Sequence, residues 1–364
     1  MATVFKNTRL DIDLLRQFLV QKTFTAKLLE FARNEGIFSI MRELDRFTGK
    51  EFCDATAKMS GYKIDDAARK RMLFTLLDFF EECGYVLQEE PNIYRYSMAV
   101  KPAPKLSYHD TDIVKRVFGD QSAFFGKCID YAGVFLRGGN HLYAFESGME
   151  EIWDKLLGNF EFSIVRDILL KTMAINGSAH GKILDLCYGT GHGLEAICRH
   201  FPDAEITAID FTDVMKPLAM LRVDNTLAEV QWVDANTWCG FGDKLPFEDT
   251  AFDKVFFSCG DPYIPDHLRK DVYKDIFRIL KPGGVLGMVA WGYPDKAKRH
   301  IRNEWRRKGI YIHDFAEGVC KGWYGFRDID STINMAREIG FVEDNAFSSN
   351  FYMLDTALWM FKKP

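Results

Sequence analysis

The run Lys182-Ile183-Leu184-Asp185-Leu186-Cys187-Tyr188-Gly189-Thr190-Gly191-His192-Gly193 restricts the fold of this chain more than any other stretch. Its apolar start predicts a short buried strand that delivers Asp185 to its carboxyl end. The small residues after it predict a tight turn, and Gly191 to Phe201 reads as the helix that follows. Glu205 to Asp210 then reads as a second strand ending in a carboxylate. A strand, a glycine-rich turn and a helix bring main-chain N–H groups close to a ligand, and a carboxylate ending the next strand can accept hydrogen bonds from both hydroxyls of a ribose. The pattern predicts a nucleoside-binding crevice.

A glycine-rich turn serves more than one nucleoside, so later residues decide between them. The dinucleotide spacing G-x-G-x-x-G requires glycine at 194, where this chain has Leu194. Asp185 would repel a pyrophosphate, whereas it suits the ammonium group of a methionine moiety. Charge therefore points to a sulfonium cofactor.

Three further motifs follow in order: Asp210, then Leu245-Pro246-Phe247-Glu248-Asp249 with Phe252-Asp253, then Leu280-Lys281-Pro282-Gly283-Gly284. With them the chain resembles the class I S-adenosylmethionine-dependent methyltransferases from roughly residue 178 to 364. The resemblance implies an α/β fold with a Rossmann-like seven-stranded sheet, S-adenosylmethionine as cofactor and no metal. It implies a cofactor turn built by Asp185, Cys187, Gly189 and Gly191. Asp210 would hold the ribose with Phe211 beside it, and Asp234, ending the strand Val230-Gln231-Trp232-Val233, would take the adenine amino group beside the backbone of Ala235. Cys259, at the end of the fourth strand, completes the set. Family members usually carry glycine where this chain has Cys187, a departure that crowds the turn.

At 364 residues the chain is long enough for two domains. No apolar run is long enough to span a bilayer and the first residues lack a signal-peptide core, which predicts a cytoplasmic location. The eight cysteines show no C-x-x-C pair, so neither zinc nor a disulfide framework is expected.

Residues 1–105 read as a winged-helix-like unit. Thr25 to Asn34 is amphipathic and stops at Gly36, Ile37 to Leu44 continues the helical pattern, and Asp65 to Cys83 predicts a long helix. Tyr85-Val86-Leu87 and Tyr94-Arg95-Tyr96 flank the turn-forming Pro91-Asn92. Nucleic-acid binding would need an excess of basic residues, yet residues 1–100 hold fifteen Lys or Arg against fifteen Asp or Glu. A regulator that senses the cofactor is disfavoured on the same ground. The segment Leu28 to Phe38 is similar to the start of the N-terminal dimerisation domain of small-molecule methyltransferases of the natural-product type, which implies a homodimer. Residues 106–177 read as a helical connector roofing the acceptor site, with Phe124, Phe125, Tyr131, Phe135, Trp153 and Phe160 as candidate lining residues, and 178–364 as the catalytic domain. The 31 phenylalanines are mostly core, though their number suits a wide aromatic acceptor pocket.

Methyl transfer from a sulfonium is an in-line displacement, for which alignment and exclusion of water are the main requirements. An acceptor proton directs attention to the loop Gly260 to His267. Many of the O-methyltransferases that this chain resembles place a base histidine shortly after the fourth strand; here the residues are Asp261-Pro262-Tyr263. Asp261 and Tyr263 are therefore candidate acceptor-site residues, and they also look like a shortened Asp-Pro-Pro-Tyr motif of amino-group methyltransferases. His313, in what reads as a long insertion after the fifth strand, is a candidate base. The expected activity is O- or C-methylation of a small aromatic or polyene acceptor. N-methylation and a non-methylating reaction on the same scaffold are the alternatives.

Overall fold

The computed structural model describes residues 16–97, 108–175, 180–226, 228–293, 304–343 and 358–364. The chain divides into two compact units, Met1–Asn140 with Asn303–Val319, and His141–Arg302 with Cys320–Pro364.

In the first unit, local sequence sets each boundary. Gly36 adopts a left-handed conformation (φ 72°) that separates the helices Thr25–Asn34 and Ile37–Leu44. Thr48 starts the helix Gly49–Ser60 with a capping box, its hydroxyl accepting from Glu51 N–H while the Glu51 carboxylate accepts from Thr48 N–H. Asp66 caps the helix Ala67–Cys83, which ends at left-handed Gly84. Strand β1 (Arg46–Thr48) adds antiparallel to the hairpin β2 (Val86–Glu90) and β3 (Ile93–Tyr96), giving the order β1-β3-β2. Leu28, Ile40, Phe47, Phe52, Leu76 and Phe80 fill the core between these elements.

The helix Gly49–Ser60 and strand β1 are additions to the elements read from sequence. The connector expected over 106–177 is divided: the helix Tyr108–Leu136, with non-helical backbone at Phe118, belongs to the first unit, whereas Glu150–Leu157 and Phe160–Ile175 belong to the second. Residues 310–317, expected within a long insertion, lie in the helix Glu304–Glu317 of the first unit, where Arg71 pairs with fully buried Asp314.

The second unit is built on a mostly parallel sheet, seven-stranded among the described residues. Its strands are β4 (Lys182–Leu186), β5 (Glu205–Ile209), β6 (Val230–Trp232), β7 (Phe252–Ser258), β8 (Leu280–Val289), β9 (Val342–Glu343) and β10 (Leu358–Lys362), in the order β9-β10-β8-β7-β4-β5-β6. β6, β5, β4, β7 and β8 run parallel and β10 enters antiparallel beside β8. Strands buried on both faces explain why β4 and β7 read as nearly continuous apolar runs. One layer packs Leu169, Met173, Leu194, Ile197 and Phe256, and the other packs Leu186, Phe257, Tyr273, Ile276 and Leu286. The chain enters at β4, winds outward through β5 and β6, then returns to the other side as β7. The carboxyl ends of β4, β5 and β7 therefore flank the point where strand order reverses, the place where α/β sheets open a ligand crevice. This is the expected fold class.

Candidate functional site

Asp185, the penultimate residue of β4, is 1% exposed, and its Oδ2 has no hydrogen-bond partner. Burial, reinforced by Asp210 and opposed by Arg166, pushes its carboxyl up to about 8. Asp210, just past β5, is held differently. Its Oδ2 accepts from Gly189 N–H at 2.8 Å and its Oδ1 from Thr212 N–H at 3.4 Å. Burial still raises it to about 6 against these backbone donors. Two carboxyl groups thus face one turn, and one of them holds an orphaned oxygen. A buried polar atom left unpaired costs roughly 1–3 kcal/mol, so this arrangement suits a cationic or donor-bearing ligand that completes it.

The turn between them is shaped for close approach. Gly189 and Gly191 take left-handed backbone (φ 51° and 87°), and a Cβ at 191 would stand 2.6 Å from Ala219 Cα. Cys187 sits at φ 65°, the conformation glycine favours, while its N–H continues the ladder to Ile209 O at 2.8 Å. Cys187 thus carries a side chain on left-handed backbone that glycine adopts more readily. Burial and the two carboxylates hold the Cys187 thiol protonated, which argues against a nucleophilic role. Cys259, past β7, repeats the geometry at φ 63°, with its N–H on Val289 O.

Asp185, Cys187, Gly189 and Gly193 line a small cavity of about 30 Å³ with Arg166, Leu157, Thr190 and His192. Arg166 comes from the helix Phe160–Ile175, is 4% exposed and donates to Leu157 O at 2.6 Å. A lone arginine inside the apolar run Phe162-Ser163-Ile164-Val165-Arg166 was the sequence signal for it. Asp234 follows β6 with its carboxylate largely exposed and 3.1 Å from Lys216 Nζ; Ala235 N–H donates to Asp213 at 3.4 Å.

A second cavity of about 340 Å³ holds Phe211 and Tyr263 together with Phe145, Phe241, Leu268 and Tyr324. Phe145 meets Phe211 and Tyr263 edge-on at 5.7 and 5.0 Å, and Tyr263 meets Trp323 at 5.2 Å. Trp153 stacks on Phe145 at 4.5 Å. Of the aromatic candidates, Trp153 and Phe160 lie in this unit, while Phe124, Phe125, Tyr131 and Phe135 lie in the first unit.

Asp261 does not present its carboxylate to either cavity's lining. It is 2% exposed and engaged by Arg269 at 2.9 and 3.3 Å and by the Tyr273 hydroxyl at 2.7 Å. With both oxygens committed, it anchors the loop that carries Tyr263 and is unsuited to act as a base or amine acceptor. That loop is fixed from a second side, since Tyr324 and Gly325 N–H donate to Pro262 O and Arg327 donates to Ile264 O. His313 belongs to the first unit, 2.6 Å from Glu317 and packed on Phe125 at 4.7 Å. Among the described residues no cluster of His, Cys, Asp and Glu could hold a metal ion.

Residues 183–284 match the family model described as a methyltransferase domain. The demethylmenaquinone methyltransferase of Lactococcus lactis is 32% identical over 127 residues, 34% of this chain and 48% of its own length; that of Lactiplantibacillus plantarum is 32% identical over 130 residues, 35% and 52%. The chain thus spans about half the length of these curated relatives. Over nearly its whole length it shares a fold with two solved structures. One is the CurJ carbon methyltransferase (TM-score 0.58, 14% identity, 96% of each chain). The other is an O-methyltransferase family 2 protein from Planctomyces limnophilus in complex with apigenin (TM-score 0.59, 11% identity, 98% of this chain and 97% of that one). At these identities the likeness speaks to fold. The orphaned Asp185 oxygen, the glycine turn and the strand-end Asp210 fit a nucleoside bearing an ammonium group. Through residues 183–284, which hold this crevice, the chain is similar to a methyltransferase domain.

Proposed function

We propose that this protein transfers a methyl group from S-adenosylmethionine to an oxygen or carbon of a small, flat acceptor. The observation that carries the reading is the unpaired, buried Asp185 oxygen at the strand-order switch, on the glycine turn whose Gly189 N–H donates to Asp210, in a unit that also holds an aromatic cavity. Asp185 and the turn through Cys187, Gly189 and Gly191 would hold the amino-acid end of the cofactor, Asp210 with Phe211 the ribose, and Asp234 with Ala235 the adenine; Cys259 would border the site from β7. When bound, the cofactor supplies an electrophilic methyl group on a positively charged sulfur. The chain's own part is to align the acceptor and keep water away. Phe145, Phe211, Phe241 and Tyr324 offer aromatic surface for a planar ring, and Tyr263, one of two tyrosines in that wall and the one carried by the loop after β7, is suited to orient the acceptor or relay its proton.

The engagement of Asp261 by Arg269 and Tyr273 removes the carboxylate that an amine-methylating reading needs, and so favours O or C as the target. We further infer a cytoplasmic homodimer formed through the first unit, whose exposed Met59 and Leu87 are apolar surface suited to burial. No helix among the described residues is long and apolar enough to cross a membrane. The test is incubation with methyl-labelled S-adenosylmethionine and a panel of phenolic, quinone and polyene acceptors. Label moving to an O- or C-bound methyl supports the reading. Cofactor consumption with no methylated product would favour a non-methylating reaction.

A further inference from the structure

The short helix Glu150–Leu157 carries contacts to both cavities on adjacent residues. Trp153 is 2% exposed, donates its indole N–H to Ala144 O at 2.8 Å and stacks on Phe145, which packs against Phe211 and Tyr263. Asp154, the next residue, accepts from Arg222 at 2.7 Å and lies 3.0 Å from His192 Nε2. Arg222 also donates through Nε to Thr190 O at 3.1 Å, inside the glycine turn. One carboxylate therefore ties this helix to the turn and to the helix Lys216–Val223 at once.

The same helix borders the smaller cavity through Leu157. Leu157 accepts from Arg166, and its Cδ1 is 3.7 Å from where a Cβ on Gly189 would stand. The space left is about 30 Å³, room for roughly one water. The amino-acid end of a nucleoside cofactor needs several times that volume, so the site has to widen to take it, and Leu157 is the residue of this helix that borders it. The helix is bounded by glycines suited to that movement. Gly148 has φ 91° and nothing within 4 Å of where a Cβ would stand, and at Gly158 a Cβ would stand 2.6 Å from the His192 ring.

We propose that Glu150–Leu157 is a cofactor lid, swinging on Gly148 and Gly158 and latched shut by Asp154 to Arg222 and His192. The proposal rests on the S-adenosylmethionine reading above. Closing over the cofactor's amino-acid end, the lid also sets Trp153 and Phe145 against the aromatic cavity, so that cofactor binding shapes the acceptor pocket. Asp154 is on this account a positioning residue.

The experiment measures S-adenosylhomocysteine affinity by calorimetry and its dissociation rate by stopped-flow fluorescence. It uses the full-length wild type, Asp154→Asn, Arg222→Gln, the Asp154→Asn/Arg222→Gln double variant and Gly158→Ala, with the ligand-free melting temperature of each. The latch predicts dissociation roughly tenfold faster in each single variant, with the double variant no faster than either parent because both remove one interaction. Ligand-free melting temperatures should move by only a few degrees. Gly158→Ala reaches the latch by displacing His192 and keeps the test alive if an ionic variant folds poorly. Wild-type protein that does not bind the ligand would sink the cofactor reading itself. Wild-type binding with dissociation in Asp154→Asn and Gly158→Ala within twofold of wild type would sink the lid alone.

Discussion

Replacing Asp185 with asparagine should stabilise the ligand-free protein at alkaline pH while weakening its hold on the cofactor. The carboxyl titrates near 8 in the folded chain because burial and Asp210 oppose its charge, against about 3.9 for an unfolded aspartate. Between those values the folded state holds a proton that the unfolded state has released, so stability falls as pH rises and levels off above pH 8. Asp210, near 6, and His192, pushed by burial down to about 4, also contribute to the pH dependence just above pH 6, so the contribution of Asp185 is the difference between the wild-type and asparagine profiles from pH 6 to 8. Over that interval the wild type should lose about 2 kcal/mol through this group, at a limiting slope of about 1.4 kcal/mol per pH unit. For a unit of this size that is a fall of about 4–8 °C in melting temperature beyond whatever the asparagine variant shows. Asparagine carries no such slope, though its amide enters a site with no partner for Oδ2 and so sacrifices about 1–3 kcal/mol of absolute stability. The slope, read by thermal melts from pH 6 to 8, is therefore the quantity to compare. The complementary arm is calorimetry with S-adenosylhomocysteine. An ammonium group beside Asp185 requires the carboxylate, so wild-type affinity should rise with pH toward 8 with proton release, and the variant should bind weakly at every pH. Parallel melting profiles for the two proteins would refute the argument.

The other predictions follow from single contacts. Asp210→Ala should weaken cofactor binding by about 1–3 kcal/mol, since it removes a charged acceptor and the anchor of Gly189 N–H; calorimetry showing unchanged affinity would take Asp210 out of the site. Tyr263→Phe should leave cofactor affinity nearly intact while lowering turnover by about 10²-fold if the hydroxyl acts on the acceptor; wild-type turnover would leave alignment alone as the mechanism. Asp261→Ala should cost about 3–5 kcal/mol of stability by stranding the buried Arg269 guanidinium, so a variant with a normal melting temperature but lost activity would contradict its anchoring role. Met59→Glu with Leu87→Glu should shift the protein toward monomer in sedimentation analysis, and an unchanged dimer would place the interface elsewhere.

Sequence reading worked best where local chemistry and tertiary placement agree. Strand β4 ends at an acidic residue and a glycine turn because the sheet demands a buried strand and a close-packed helix start, and both demands are written in neighbouring residues. The capping box at Thr48 and Glu51 was equally local, yet the helix it starts mixes small polar residues with few apolar ones and gives weak periodicity. The helix Glu304–Glu317 was harder. Trp305, Arg306, Lys308, Tyr311, His313 and Asp314 are all buried, and its charges point into ion pairs, Asp314 with Arg71 and His313 with Glu317 on the same helix, which mask the apolar stripe that would have marked it. The same reason hid the state of Asp261. Its sequence context, Asp-Pro-Tyr after a strand, suits a ligand-facing loop, and only the fold brings Arg269 and Tyr273 onto its carboxylate. Asp154 could not be assigned a role from spacing, because its partners His192 and Arg222 lie beside the glycine turn and on a helix far along the chain.

A crystal structure of the full-length protein grown with S-adenosylhomocysteine tests the central claim most directly. The account predicts one ligand per chain at the carboxyl ends of β4 and β5, its ammonium group beside the Asp185 carboxyl and its ribose hydroxyls within hydrogen-bond distance of Asp210. A ligand seated elsewhere, or one at this crevice whose ribose makes no contact with Asp210, would contradict it.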